Sequence, residues 1–250
     1  MHGVRRVRQS QQALEAKKLK EKAKIEEYLA LTNDVISRRK NKDLSQDALR
    51  LTSRLLQVNP EFYTIWNYRR TIFLDGIFPN SSPEEINTYI SDDLSSTMTA
   101  LKAHPKVYWI WNHRRWCLEN TPHGPGSETE GDPNGWKKTN WDKELYVVEK
   151  MLDIDPRNFH AWNYRRYVLA SMAVKRSEKS ELAYTSRKIE ANISNFSAWH
   201  QRSKERASLL FPPNDVEVND VCSGEDPELL KSEISAIQEL LDEQPDSKCA

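Results

Sequence analysis

Apolar residues recur along this chain at helical spacing, in paired blocks. Leu51, Leu55 and Leu56 precede Pro60; Met98 and Leu101 precede Pro105; Val148, Met151 and Leu152 precede Pro156. A second block follows each proline, with Trp66, Trp111 and Trp162 six residues beyond it, and a fourth copy without the proline carries Trp199. Three positions before each tryptophan stands an aromatic (Tyr63, Tyr108, Phe159, Phe196), and three positions after it an arginine (Arg69, Arg114, Arg165, Arg202). Side chains three and four apart share a helix face, so Tyr63, Trp66, Arg69, Arg70 and Phe73 form one stripe. Each unit therefore predicts a helical hairpin, with an apolar first helix and a second helix of aromatic and arginine residues. The tryptophans are expected to fill the space between neighbouring hairpins. Asn59, His104, Asp155 and Asn192 lie seven residues before the tryptophans. Three of these are good N-caps, and Pro60, Pro105 and Pro156 then fall at the expected first helical position, where a missing N–H costs nothing.

The tryptophans are 45, 51 and 37 residues apart, and a period in that range predicts stacked supersecondary units. The expected organisation is a helical lead-in over 1–43, four repeats at 44–74, 83–119, 141–174 and 178–210, a loop at 211–227, and an incomplete repeat or tail helix at 228–250. Loops make the period uneven. Residues 75–82 read as a connection into Ser82-Pro83-Glu84-Glu85, a capping box that opens a helix. Residues 121–140 and 211–227 are polar and rich in Gly, Pro and acidic residues, as surface insertions are. Ile237, Leu240 and Leu241 before Pro245 repeat the phase of the earlier first helices, and a tryptophan six residues further would fall one position beyond Ala250. The expectation is a C-terminally truncated chain or splice form.

Composition narrows the function classes. Lys and Arg number 37 and so do Asp and Glu, so no net field draws the chain to nucleic acid or membrane. Residues 4–24 carry eight basic and two acidic side chains; their Ala, Leu and Glu spacing predicts a solvated helix rather than a nucleic-acid arm. Seven glycines in 250 residues argue against a Gly-rich phosphate loop or a turn-dense all-β fold. Cys117, Cys222 and Cys249 form no CxxC pair, which suits a reducing compartment. No apolar stretch approaches the roughly 20 residues of a membrane span, and residues 1–30 lack a signal-peptide core. These features predict a soluble, cytoplasmic helical protein. An arginine recurring at a fixed helical position reads as structural, tying carboxylates or helix-end carbonyls between stacked repeats.

The P-x-x-[YF]-x-x-W-x-x-R-R units at 60–70, 105–115 and 156–166, with a degenerate copy at 193–202, resemble the α-subunit repeat of the protein prenyltransferases. The resemblance covers about residues 1–210. It implies an all-α fold, a right-handed superhelix in which antiparallel helical hairpins form a crescent. The start MHGVRR followed by EAKKLKEKAKIEEYLALTNDVISRRK is similar to the α subunit of the Rab (type II) geranylgeranyltransferases. The acidic, tryptophan-containing lead-in of the α subunit shared by the farnesyl and type I enzymes is not found.

The resemblance implies a division of labour. A β subunit would hold Zn²⁺, which generates a thiolate from the acceptor cysteine, together with the isoprenoid pocket; the α subunit would lend polar groups to the diphosphate of geranylgeranyl diphosphate. No Asp, Cys and His triad for zinc is read from this chain, so it is expected to bind no metal of its own. The family's diphosphate lysine matches Lys106 and its tyrosine matches Tyr108. Its third-repeat Asn and His match Asn158 and His160. All four are expected in first turns of second helices, where free N–H groups and the helix dipole favour anions. CaaX-type α subunits carry a carboxylate-holding glutamine where this chain has Trp109; its absence agrees with the Rab type, whose substrate is presented by a Rab escort protein. His2 is a further candidate, a removable ligand to the partner's zinc. A tetratricopeptide-like scaffold without enzymatic role is the alternative of another class. Its 34-residue period is missing here.

Overall fold

The computed structural model describes residues 10–124, 135–172 and 175–210, with side chains through residue 204. The expected loop at 211–227, the tail at 228–250, His2 and the middle of the 121–140 insertion lie outside the described residues. The chain divides into two compact units, residues 1–140 and 141–250.

In the first unit α1 (Gln11–Lys40) packs on α2 (Gln46–Val58), which pairs with α3 (Tyr63–Thr71). A π-helical turn (Ile72–Ile77) and a 3₁₀ turn (Phe78–Asn80) continue α3. Part of the expected loop at 75–82 is thus helical. The reason is packing: Phe73 and Phe78 stack with Trp116, and Gly76 passes so close to Leu44 that a Cβ there would lie 2.6 Å from the Leu44 carbonyl oxygen. Next comes the hairpin of α4 (Pro83–Ala103) and α5 (Tyr108–Glu119). The helix α6 (Gly135–Ile154) spans the division between the units. In the second unit α6 is followed by α7 (Phe159–Ser171), and α8 (Glu178–Ala191) pairs with α9 (Phe196–Leu210). Among the described residues there is no strand, and no helix is long and apolar enough to cross a membrane.

Serines start the first helices. Ser45, Ser82 and Ser177 accept from the backbone N–H three residues on, and at Ser82 the Glu85 carboxylate closes the expected capping box. Residues 11–27 of α1 are exposed throughout, in keeping with a solvated helix, and burial begins near Val35. The apolar stripes expected from the sequence largely form the core: Leu51, Leu55 and Leu56, Leu101, then Val148, Met151 and Leu152 are all buried, and Met98 is half-buried.

The second helices begin later than expected. Asn59, His104, Asp155 and Asn192 do not cap them; each is the first residue of a tight turn, closed by backbone bonds Phe62→Asn59, Val107→His104, Asn158→Asp155 and Asn195→Asn192 of 2.9–3.3 Å. Asn59, Asp155 and Asn192 also accept, through their side chains, the N–H two residues on. Proline at the second position of such a turn fixes φ, and Asn or Asp at the first is favoured for this bond. The prolines therefore belong to the turn, and the helices start three residues after them.

Those turns are held by the tryptophans. Trp66, Trp111 and Trp162 donate their indole N–H to the carbonyls of Pro60, Pro105 and Pro156 at 2.9, 3.0 and 2.8 Å, and Trp199 donates to Ile193 at 2.8 Å. The same rings fill space between hairpins, as expected. Trp66 lies 4.7 Å from the His113 ring and Trp162 lies 6.1 Å from the Tyr184 ring. Because only the carbonyl is used, Ile193 can replace proline in the fourth copy.

Removing one donor while keeping the ring separates these two roles. Trp162→Phe leaves the Pro156 carbonyl without its partner and should lower unfolding stability by about 1–3 kcal/mol, measured by urea denaturation; a change below about 0.3 kcal/mol would show that the ring alone matters.

Candidate functional site

Two constellations stand out, one exposed at the turns and one buried between hairpins. At the turn edge the aromatic three before each tryptophan is turned to solvent: Tyr63, Tyr108, Phe159 and Phe196 are 53, 51, 69 and 75% exposed. Val58 and Ile154, one residue before the turns, are exposed as well. Within each unit, large apolar side chains exposed at successive turns mark a surface suited to a protein partner.

The candidate residues stand at the turns of the two units. In the first unit Lys106 is exposed within the turn and Tyr108 is the first residue of α5. Beside them Trp109 packs against Tyr63 of the preceding hairpin at 5.3 Å and edge-on to Tyr108 at 6.1 Å. In the second unit Asn158 and His160 hold the equivalent turn, Asn158 buried and His160 half-buried. Asn158 is the N-cap of α7, and its Oδ1 accepts from the His160 and Ala161 N–H groups at 3.0 and 3.3 Å. Only Tyr108 and His160 lie in first turns of helices; Lys106 and Asn158 precede them. The expected placement of all four in helical first turns is corrected to that extent, and the cause is the late start of the second helices.

The arginine three after the tryptophan is buried in three of the repeats (Arg69, Arg114, Arg165) and half-buried in the fourth (Arg202). Through Nη1, Arg69 donates to the Leu49 carbonyl, Thr52 and Ser53, and Arg202 donates to the Leu182 carbonyl and Ser186, each in the first helix of its own hairpin. Arg114 likewise donates to the Leu94 carbonyl and Thr97. Through Nε and Nη2 the guanidinium forks onto a carboxylate of the next hairpin, Arg69 onto Asp93 and Arg165 onto Glu181. The structural reading of these arginines is right for the carboxylates. The carbonyls lie inside first helices, not at their ends.

Around Asp93 the cluster grows. His113 Nε2 lies 2.5 Å from Asp93 Oδ2, and Arg70 Nε donates to His113 Nδ1 at 3.4 Å. An acceptor at Nδ1 places the imidazole proton on Nε2, so His113 is neutral and donates to Asp93. Cys117 Sγ lies 3.9 Å from the same carboxylate oxygen. Asp93, His113 and Cys117 are all buried, with ligating atoms within 4.8 Å of one another. The structure thus brings an Asp, a Cys and a His together, a grouping the sequence reading did not find. Sequence spacing hides the group because α4 supplies Asp93 and α5 the other two.

The donor set does not fit a metal ion, however. Both Asp93 oxygens accept from Arg69, and one also from His113, so a dication would sit against a buried guanidinium. Burial opposes the Asp93 charge, but Arg69 and His113 outweigh it and hold the carboxyl well below the usual carboxylate range. Burial lowers the His113 pKa below its ordinary value despite Asp93. The arrangement is a compensated charge cluster that fixes α5 against α3 and α4.

Stacked hairpins with a turn-pinning tryptophan and an interhelical arginine define the class. The protein prenyltransferase alpha subunit repeat matches residues 45–75, 90–121, 141–172 and 178–204, and the chain belongs to that family. Its relatives include the geranylgeranyl transferase type-2 subunit alpha of Schizosaccharomyces pombe, 45% identical over 213 residues, covering 84% of this chain and 58% of the relative. The protein of the same name from Saccharomyces cerevisiae is 41% identical over 240 residues, covering 95% and 66%. The chain thus spans 58–66% of the length of these two relatives. The solved structure of Candida albicans protein geranylgeranyltransferase-I complexed with GGPP aligns with a TM-score of 0.59 at 24% identity, over 85% of this chain and 62% of that one. That likeness shows a shared fold.

The buried histidine has a pH signature. Its folded pKa lies below the ordinary value of 6.5, so the unfolded chain takes up the proton first as pH falls. Its contribution is complete above about pH 6.5 and is lost below it. The urea midpoint should fall between pH 7 and pH 5 in the wild type and fall less in His113→Gln; equal slopes in both would contradict the assignment.

Proposed function

We propose that this chain is the α subunit of a heterodimeric protein geranylgeranyltransferase that modifies C-terminal cysteines of Rab GTPases. The names of its relatives support the reading, and the observation that carries it is the turn edge. There an exposed lysine and tyrosine, Lys106 and Tyr108, stand among exposed aromatics that a partner could cover. The partner is a β subunit holding the isoprenoid pocket and Zn²⁺, and the metal supplies a cysteine thiolate at neutral pH.

Transfer forms a sulfur–carbon bond as the carbon–oxygen bond to diphosphate breaks, and negative charge grows on the departing oxygen. Lys106 places a full positive charge at the rim against that charge, and the Tyr108 hydroxyl adds a donor. His160 offers a further donor at the equivalent turn of the second unit. Asn158 is a positioning residue, since its side chain caps the helix that carries His160. Trp109, packed between Tyr63 and Tyr108, offers no carboxylate capture, in keeping with a substrate presented by an escort protein. The chain itself binds no metal in this reading.

Co-expression with a type-2 β subunit should give a 1:1 complex that prenylates a Rab bound to its escort protein; absence of any complex would overturn the reading. In that complex Lys106→Ala should lower kcat/KM by roughly tenfold or more, with the subunits still associated on gel filtration. An unchanged rate would remove Lys106 from the diphosphate site and leave the α-subunit assignment standing.

A further inference from the structure

A cleft of about 350 Å³ opens to solvent between α2 and α4 in the first unit. Trp66, Arg69 and Asp93, all buried, lie at its base, while Gln57 and Ser96, both exposed, stand at its mouth. The charge of Arg69 is already answered, because Nε and Nη2 fork onto Asp93 and Nη1 bonds to α2. A second charged group would gain little there. With Nε, Nη1 and Nη2 all engaged, what remains to line the cleft is the flat face of a guanidinium beside an indole. The Phe73 ring lies 5.5 Å from that guanidinium but is not among the groups that line the cleft.

The second unit shows what such a place accepts. Counted from the turns, Trp162, Arg165 and Glu181 hold the positions of Trp66, Arg69 and Asp93, and Thr185 that of Thr97. There the residue nine before Ile193 is Tyr184, buried, with Arg165 3.6 Å over its ring and Trp162 edge-on to it at 6.1 Å. Lys188, five before Ile193, then binds Asp153 and bridges α8 to α6. In the first unit the residues nine and five before Pro105 are Ser96 and Ala100, and Gln57 stands where Asp153 does. Neither the ring nor the ion pair can form from these side chains, and the space that Tyr184 fills is left open.

We propose that the cleft between α2 and α4 binds a single aromatic side chain, a tyrosine or phenylalanine of a partner protein, whose ring stacks on Arg69 and meets Trp66 as Tyr184 meets Arg165 and Trp162. A ring laid on a desolvated guanidinium gains an attraction that an aliphatic group of the same size lacks. The Ser53 and Ser96 hydroxyls and the Gln57 amide, which also line the cleft, provide hydrogen bonds for the backbone that carries the ring. A protein segment uses both the base and the mouth, whereas a free aromatic molecule uses the base alone. The inference concerns two hairpins of one unit and does not depend on the transferase reading.

Titration of the full 250-residue chain with N-acetyl-tyrosinamide, followed by NMR at the Trp66 indole and the Ser96 amide, tests this, with N-acetyl-leucinamide as the control. The tyrosine probe should shift both signals saturably, and the leucine probe should bind about tenfold more weakly. Ser96→Tyr builds a ring where the second unit has Tyr184, at little cost in helix propensity. It should raise the urea midpoint and abolish binding of the tyrosine probe. Any of four results would overturn the proposal: no binding of the tyrosine probe, equal binding of the two probes, a Ser96→Tyr chain that folds less stably than the wild type, or one that still binds the probe.

Discussion

One guanidinium, three residues after the tryptophan, sets the spacing of the stack. Arg165 is fully buried, forks onto Glu181, reaches Glu149, and lies 3.6 Å over the Tyr184 ring. Burial opposes its charge, but Glu181 chiefly outweighs that and keeps it protonated. Arg69 does the same between α2 and α4. Breaking such a buried pair by removing one partner typically costs about 3–5 kcal/mol, because the other charge remains without compensation. A shape-based apolar contact would tolerate sliding of one hairpin over the next; a planar fork with both ends satisfied does not.

That constraint frees the turn edge for chemistry. The tryptophan indole pins the turn from within by a single hydrogen bond, while the aromatic three before it is turned to solvent. Lys106 and the aromatics at Tyr108 and Phe159 can then vary in role while the backbone beneath them stays fixed. Between α3, α4 and α5 the interior is polar as well as aromatic: Arg69 and His113 bind Asp93 and Arg70 binds His113, whose ring is tilted against Trp66 and stacked on Trp116. Polar residues in the core and polar residues at the rim thus do separate work, although both come from the same short motif.

Most of this architecture is legible in the sequence because its period is strong. The paired apolar blocks, the tryptophan frame and the Ser82 capping box follow from the sequence alone. The turn was missed because Asn-Pro serves equally well as helix start and as turn start, and only the backbone bonds from Phe62 and Asn158 separate the two. The indole-to-proline bond could have been suspected, since each of the four repeat tryptophans stands six residues after the same position. The Asp93, His113 and Cys117 cluster could not, because a twenty-residue gap between two helices carries no local signal. Of the rim residues, Lys106 and His160 were found only through resemblance; by composition an exposed lysine beside a turn is unremarkable.

The central claim is that hairpins are locked by arginine and carboxylate as a pair. A double-mutant cycle on Arg165→Met and Glu181→Leu, read by urea unfolding of the whole chain, tests it most directly. Each single change should cost about 3–5 kcal/mol and the double change much less than their sum, since no buried charge is then left alone. Additive losses would mean that the two residues act independently and that packing alone holds the repeats in register.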